Sequence, residues 1–206
     1  MRSGLILGSA IILIATPPAA SMQRDLVIRA RNGDHEAFAQ LAAASFDQLI
    51  RTARLILRDN ESAADSVQDA LLSAWLHIRA VRDPDRFDAW LRRLLVHACY
   101  REAKRMRRRR AMEMEVTPLD TPTGDDVPRA AATRDQLERG FRRLTIEQRA
   151  VLVVHHYLGL PDFDAAVVLD VPVGTFKSRL NRATAALRAV LEADDRLPVQ
   201  VQESIL

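Results

Sequence analysis

The sequence predicts an all-α protein of two helical modules that a flexible linker joins. Apolar residues recur three or four positions apart along most of the 206 residues, and strand-like alternation is scarce. Alanine, leucine and arginine, which favour helices, dominate the composition. Residues 111–134 interrupt the pattern with three prolines, one glycine and five acidic residues, a composition typical of a flexible linker.

The chain carries no pattern typical of a catalytic or cofactor site. It has no glycine-rich phosphate loop, no metal-ligand spacing and no nucleophile–base pair. His155 and His156 are adjacent, so on a helix they point in different directions and cannot easily share a metal. Cys99 is the single cysteine, which excludes an internal disulfide and fits a reducing compartment. We therefore expect a non-catalytic protein without metal, cofactor or small-molecule substrate.

Residues 1–21 form an apolar N-terminal extension. Leu5 to Ala15 is almost wholly apolar, Arg2 precedes it and small residues follow, which is the form of a weak signal peptide. The run is short for a membrane span, which needs about 20 residues. We favour a start placed too early, with Met22 as the true initiator. A disordered or interface-packed extension and a membrane tether are the alternatives.

Two helices are predicted between residues 25 and 58. Leu26, Val27 and Ala30 form the apolar side of a short helix that Asn32-Gly33 interrupts. Asp34 is placed to cap a longer second helix. The apolar positions of this second helix are Phe38, Leu41, Leu49, Ile50 and Ala53.

The next predicted helix, residues 60–78, has one apolar and one acidic face. Its buried stripe comprises Val67, Leu71, Ala74, Trp75 and Ile78. The opposite face carries Asp65, Gln68, Asp69 and Leu72. Acidic groups around an exposed leucine suit docking onto a basic partner helix, because the charges steer the encounter and the leucine supplies buried area. A simply solvated acidic face is the alternative.

A loop at residues 77–86 leads into a strongly basic helix. Asp83-Pro84-Asp85 is a helix-start signal, and Phe87, Trp90, Leu91, Leu94 and Ala98 line one face of the helix. Phe87 and Trp90 at this spacing are core residues rather than stacking platforms. The run Lys104-Arg105-Met106-Arg107-Arg108-Arg109-Arg110 is typical of an electrostatic footprint for nucleic acid, with a solvated basic tail as the alternative.

The C-terminal module begins with a capping box. Thr145-Ile146-Glu147-Gln148 has the required pattern and opens a helix that Gly159 closes in a left-handed conformation. Its expected apolar stripe is Ile146, Ala150, Val153 and Tyr157.

Residues 164–191 have the pattern of a helix-turn-helix. Asp164 to Leu169 is a short helix, Asp170-Val171-Pro172 breaks it, and a second helix follows. Phe176, Leu180, Ala183 and Leu187 make the apolar stripe of the second helix. Its other face is small, hydroxylated and basic, as in a recognition helix that approaches base edges. Residues 137–191 therefore predict a DNA-binding module.

These segments resemble a known family. "LTIEQRAVLVVHHYLGL" and "VPVGTFKSRLNRATAALRAVL" are similar to region 4 of bacterial RNA polymerase sigma factors of the extracytoplasmic-function (ECF) group, which reads the −35 promoter element. "SAADSVQDALLSAW" resembles region 2.2, which grips a coiled coil on the polymerase β′ clamp. "FDAWLRRLLVHACYREAKRMRRRR" resembles regions 2.3 to 2.4, which bind and open −10 DNA.

The resemblance implies three sets of contact residues. Polymerase contacts fall on Asp65, Gln68, Asp69 and Leu72. Contacts to −10 DNA fall on Arg79, Arg82, Arg86, His97, Arg101, Lys104, Arg105 and Arg108. Contacts to −35 DNA fall on Gly174, Thr175, Lys177, Ser178, Arg179, Asn181 and Arg182, of which Lys177 and Arg179 serve phosphates. Val96-His97 and Asp170 depart from the family pattern, which commonly has Arg-Asn and glycine at these places. Either His97 takes over the polar role of the asparagine, or −10 recognition differs.

The implied protein is a cytoplasmic alternative sigma factor. The resemblance places region 2 at residues 22–110, region 4 at 135–193 and a short tail at 194–206. Its partners would be core RNA polymerase, through the β′ clamp and β subunits, and promoter DNA. Phe163, Val167 and Val168 make the first helix of the motif unusually apolar. Either this helix is more buried than is common, or it meets a further partner such as an anti-sigma protein.

Two other functions fit parts of the sequence. A helix-turn-helix regulator could bind operators as a dimer and sense a signal through its N-terminal half, although a repressor needs no acidic helix at 62–75. A membrane-tethered adaptor would require the apolar N-terminus to be present in the native protein.

Overall fold

The computed structural model describes residues 19–113 and 129–195, and within them it contains helices and no strand. The main helices are α1 (Ala19–Arg31), α2 (His35–Leu57), α3 (Asn60–His77), α4 (Phe87–Glu113), α5 (Arg129–Arg143), α6 (Ile146–Leu152), α7 (Asp162–Leu169) and α8 (Val173–Asp195). Short 3-10 turns span Ile78–Ala80 and Pro84–Arg86, and a π-helical segment spans Val153–Tyr157. The all-α prediction is confirmed.

The described helices do not cover every predicted segment. Residues 1–18, which hold most of the apolar extension, lie outside the described part. So do residues 114–128, with the prolines and most acids of the predicted linker, and the tail from 196 onward. Helices α4 and α5 extend into both ends of the predicted 111–134 segment. Among residues 19–113 and 129–195, no helix is long and apolar enough to cross a membrane.

The first module consists of α1 to α4, and side-chain caps fix where its helices start. Asp34 accepts a hydrogen bond from the Ala37 backbone N–H at 3.0 Å, which confirms the predicted cap. That bond, and then the nearby Arg29, hold the pKa of the Asp34 carboxyl below its usual value. Asp59 caps α3 in the same way by accepting from the Ser62 N–H at 2.7 Å.

Helix α3 is buried through a narrower face than its sequence predicts. Its buried residues are mostly small, namely Ser62, Ala63, Ser66, Val67, Ala70 and Ala74. Leu71 and Trp75 were expected in the buried stripe but lie half-buried at its edge. Trp75 packs instead against the rings of His35 and Phe38, with centroids 4.5 and 5.1 Å apart. Small side chains bring α3 close to its neighbours and leave its opposite face in solvent.

Helix α4 supplies the core of the first module. Phe87, Leu91 and Leu95 are each no more than 1% exposed. Trp90 is half-buried with its ring centroid 6.0 Å from that of Phe87, so both aromatic residues pack as predicted. Cys99 is fully buried, and burial raises the pKa of its thiol to about 12. Its role is therefore packing.

The second module starts from the predicted capping box. The Gln148 backbone N–H donates to Thr145 Oγ1 at 3.3 Å, and Thr145 N–H donates to Gln148 Oε1 at 2.9 Å. Gly159 takes φ of +64°, as expected. Placing Tyr157 on the apolar stripe was wrong, since its side chain is 45% exposed. The π-helical turn changes the angular register after Val153 and rotates Tyr157 outward.

Helices α7 and α8 form the predicted helix-turn-helix. Asp170 ends α7 in the left-handed region with φ of +56°, a conformation that aspartate tolerates better than most residues. Phe176 and Ala183 are fully buried, and Leu180 and Leu187 are half-buried, so the predicted stripe of α8 is confirmed. The motif is anchored on α5 and α6 through this stripe.

The two modules pack against each other in this structure. Helix α7 lies on α4, and α6 contacts both α2 and α4. Ion pairs cross the boundary, among them Arg93 with Asp170 at 3.0 Å and Arg58 with Glu138 at 3.3 Å. This arrangement, in which α7 covers part of α4, is called the closed arrangement below.

Candidate nucleic-acid and partner interfaces

The outward face of α3 combines acidic and apolar groups as predicted. Asp65 and Gln68 are exposed, and Leu72 is 56% exposed. Sequence reasoning missed Leu76, which is 65% exposed and lies one helical turn beyond Leu72. The i, i+4 spacing of the two leucines was the signal that could have found it. Together Asp65, Gln68, Leu72 and Leu76 form the α3 surface.

Asp69 is also on α3 but is tied to α4. It is 45% exposed, and its carboxylate lies 3.8 Å from both Arg101 and Arg105. The structure thus brings one predicted polymerase contact together with two predicted −10 DNA contacts. Exposed ion pairs of this kind contribute about 0–1 kcal/mol, so the three groups can exchange partners at little cost.

The basic part of α4 is organised around a buried acid that the sequence did not reveal. The Glu102 side chain is only 7% exposed and pairs with Arg105 at 3.4 Å and with Arg109. Lys104 and Arg108 are exposed and have no ion-pair partner among the described residues. Glu102 therefore neutralises part of the basic run, while Lys104 and Arg108 face solvent.

The loop arginines lie at the other end of α4. Arg79, Arg82 and Arg86 are exposed around the two 3-10 turns, and Arg86 is 3.8 Å from Asp83. The distance from Arg86 to Lys104 along the helix axis is roughly 27 Å, at about 1.5 Å per helical residue. The structure therefore does not gather the predicted −10 contacts at one point. It spaces them along α4 and the two 3-10 turns that precede it.

His97 lies in the middle of α4 and faces the turn of the helix-turn-helix. Its Nε2 is 4.0 Å from the Asp170 carboxylate, which also binds Arg93. The two departures from the family pattern, His97 and Asp170, are thus neighbours in the closed arrangement. Burial lowers the pKa of His97, Arg93 and Arg101 lower it further, and Asp170 opposes them.

This geometry predicts how acid affects the fold. Because the pKa of His97 is lower in the folded protein than its ordinary value of 6.5, the unfolded chain takes up the proton first. Stability from neutral His97 is present above about pH 6.5 and is lost as the pH falls below it. Urea unfolding measures the free energy of unfolding at pH 7.5 and at pH 5.5. This free energy should fall more between the two pH values for the natural chain than for His97→Gln.

The other histidines are common to both proteins, so they cancel in this comparison. An equal fall in the free energy of unfolding for both proteins would show that His97 does not contribute to the pH dependence of stability. A larger loss for His97→Gln would mean that attraction to Asp170 outweighs burial.

The recognition face of α8 is open to solvent. Gly174, Ser178, Asn181 and Arg182 are exposed, and Thr175 and Arg179 are half-buried. Ser178 Oγ donates to the Thr175 carbonyl at 2.9 Å, and Arg182 Nε donates to the Ser178 carbonyl at 3.2 Å. Lys177 Nζ lies 3.6 Å from Asp162 on α7. The structure places the predicted −35 residues on the side of α8 away from its buried stripe, with Ser178 near the middle and Lys177 and Arg179 at opposite edges.

Comparison with known proteins identifies both modules. The model of Sigma-70 region 2 matches residues 41–110, and that of Sigma-70, region 4 matches residues 134–187. ECF RNA polymerase sigma factor SigM of Mycobacterium tuberculosis is 38% identical over 161 residues, covering 77% of this chain and 79% of that protein.

Solved structures agree with these matches. CnrH in complex with the cytosolic domain of CnrY has a TM-score of 0.60 and 30% identity, covering 84% of this chain and 99% of that one. The sigma factor RpoE of Bartonella quintana, solved with the anti-sigma factor NepR, shares the fold with a TM-score of 0.61 at 24% identity, covering 76% and 98%. The chain belongs to the ECF group of bacterial RNA polymerase sigma factors.

Proposed function

We propose that this sigma factor binds core RNA polymerase through the α3 surface and places two DNA-binding faces on a promoter. Residues 22–110 act as the polymerase-binding and −10 module, and residues 135–193 act as the −35 module. The observation that carries the proposal is the α3 surface itself. Asp65, Leu72 and Leu76 stay exposed while small residues on the opposite side of α3 are buried. Exposed leucines bordered by acids fit a basic helix, such as one of the β′ clamp.

Helix α4 and the loop before it open the −10 DNA. Lys104 and Arg108 hold the phosphate backbone, and Arg101 and Arg105 join them when Asp69 turns to the polymerase. Arg79, Arg82 and Arg86 bind the strand near the flipped base, and the energy of extrusion is offset by such phosphate contacts. His97 replaces the polar asparagine common in the family. The protein performs no chemistry itself and acts in the cytoplasm.

The first turns of α8 recognise the −35 DNA. Thr175, Ser178, Asn181 and Arg182 approach base edges in the major groove, because short polar groups there leave the backbone close to the bases. Gly174 allows that approach, and Lys177 and Arg179 bind phosphates. The exposure of Asn181 and Arg182 supports this assignment.

The closed arrangement must open on the promoter. The two elements are named for positions about 25 base pairs apart, which is about 85 Å of duplex at about 3.4 Å per base pair. In the closed arrangement Arg93 of α4 and Asp170 of the turn are only 3.0 Å apart. Helix α7 therefore leaves α4 when both elements are bound, and His97 and Arg93 become available to DNA.

An anti-sigma protein is a further proposed partner. Phe163 is 60% exposed and Val167 is 38% exposed, so α7 presents an apolar patch to solvent. CnrH, at 30% identity, was solved with the cytosolic domain of CnrY. Affinity capture with the full chain and with Phe163→Ser tests the patch. Failure of the natural chain to retain any partner, or equal retention by Phe163→Ser, would contradict it.

The −35 assignment is tested by sequence selection. Holoenzyme assembled with this protein is expected to enrich one −35 motif from promoters randomised at that element. Asn181→Ala should relax the selection at about one base pair and cost about 1–3 kcal/mol there. Lys177→Ala should weaken binding about equally for every sequence. An unchanged motif with Asn181→Ala would contradict the assignment.

A further inference from the structure

A cavity lies at the boundary of the two modules, beside the basic run of α4, and none of the predicted contact residues lines it. Its volume is about 530 Å³. Leu57, Met106 and Ile146 are among the apolar residues that line it. Arg58, Arg107, Arg142 and Arg149 line it as well, and they come from the end of α2, from α4, from α5 and from α6. Four guanidinium groups thus converge from both modules on one space.

Two of these arginines have unmet hydrogen-bonding capacity. The Nε atoms of Arg58 and Arg149 are buried and have no hydrogen-bond partner in the described part of the chain. The Arg58 side chain is only 17% exposed. Burial lowers the pKa of Arg149, and the positive charges of Arg58 and Arg107 lower it further. Buried donors without acceptors are unfavourable, and an acceptor in the cavity would relieve them.

The carboxylates nearby do not meet this demand. Glu138 pairs with Arg58 at 3.3 Å, leaving its Nε without a partner. Glu147 approaches Arg107 only at 4.0 Å. Asp59 also lines the cavity, and its carboxylate accepts the N–H of Ser62 as the cap of α3. Four guanidinium groups and one carboxylate therefore line the cavity, and positive charge is in excess.

We propose that this cavity binds a small anion carrying two or more phosphate groups. Guanidinium groups form paired hydrogen bonds with phosphate oxygens, and several arginines fit a multiply charged ligand. The cavity volume falls within the range of small-molecule sites. A nucleic-acid strand is disfavoured, because no aromatic side chain lines the cavity to stack on bases.

Binding would act on the closed arrangement. The ligand would contact Arg58 and Arg107 of the first module and Arg142 and Arg149 of the second. Anything that binds only the closed arrangement stabilises it by mass action. The ligand would therefore oppose the opening described under Proposed function, and this consequence rests on that proposal. The binding itself does not, so the two can fail separately.

Calorimetric titration of the full chain with inorganic pyrophosphate at fixed ionic strength tests the site. We expect saturable binding of one pyrophosphate per chain, together with a higher melting temperature. Arg149→Gln should weaken binding at least tenfold. Arg107→Gln, on the exposed rim, should weaken it several-fold without affecting folding. Arg51→Gln is the matched control, since Arg51 lines a neighbouring cavity and not this one.

Two results would overturn the proposal. They are the absence of saturable binding and equal weakening by Arg51→Gln and Arg107→Gln. The second would indicate a diffuse basic surface. If Arg149→Gln fails to fold, the comparison of Arg107→Gln with Arg51→Gln still tests whether pyrophosphate binds in this cavity.

Discussion

Asp65→Arg combined with Leu72→Ser is expected to abolish promoter-specific transcription while the protein stays folded. Both side chains are exposed on α3, so neither substitution disturbs the core. A basic partner helix would then face a new positive charge, and like charges brought together at an interface cost several kcal/mol. Because about 1.4 kcal/mol is a factor of ten, we expect affinity for core polymerase to fall about 100-fold or more.

The structure decides which residues belong in this variant. Asp69 is left unchanged, because it lies 3.8 Å from Arg101 and Arg105 and its reversal would also disturb the DNA-binding helix. Asp47→Arg on α2 is the matched control, since Asp47 is exposed and outside the α3 surface. Competition against a labelled sigma factor measures the affinity. Retained affinity in the α3 variant, or the same loss in the control, would contradict the account of α3.

Phe176→Ala is expected to destabilise the helix-turn-helix by about 3–5 kcal/mol. Phe176 is fully buried, and removing its ring leaves a cavity where α8 packs on the rest of the module. The loss is comparable to the entire stability of many small domains, so −35 recognition should vanish with the fold. Urea denaturation followed by circular dichroism gives the free energy of unfolding.

Phe163→Ala provides the matched control on the same motif. Its side chain is 60% exposed, so the same chemical change should alter stability by no more than about 0.5 kcal/mol. A similar loss of stability for both variants would contradict the burial of Phe176 in the core of this module.

Features governed by neighbouring residues could be predicted from the sequence. The capping box at Thr145 and the left-handed turn at Asp170 depend on a few adjacent residues, and both are present. The apolar stripe through Phe176 follows from helical periodicity alone. The exposure of the recognition face follows from that stripe. These local rules sufficed for the helices and for most of the α3 and α8 surfaces.

Features that depend on tertiary contacts could not be predicted. The exposure of Tyr157 follows from a π-helical turn, which packing around α6 selects rather than any short sequence pattern. Burial of Glu102 among arginines and the contact of His97 with Asp170 join residues through the folded chain. Their partners are fixed by how α3, α4 and α7 pack, and a single sequence does not encode that packing in its spacing.

Run-off transcription with core polymerase tests the central claim most directly. Core enzyme with and without this protein is supplied with pooled genomic promoter fragments, and the starts are mapped. We expect new start sites that require the natural chain, persist with Asp47→Arg and disappear with Asp65→Arg/Leu72→Ser. Absence of new starts, while the protein still binds DNA through α8, would contradict a sigma factor and indicate a helix-turn-helix regulator.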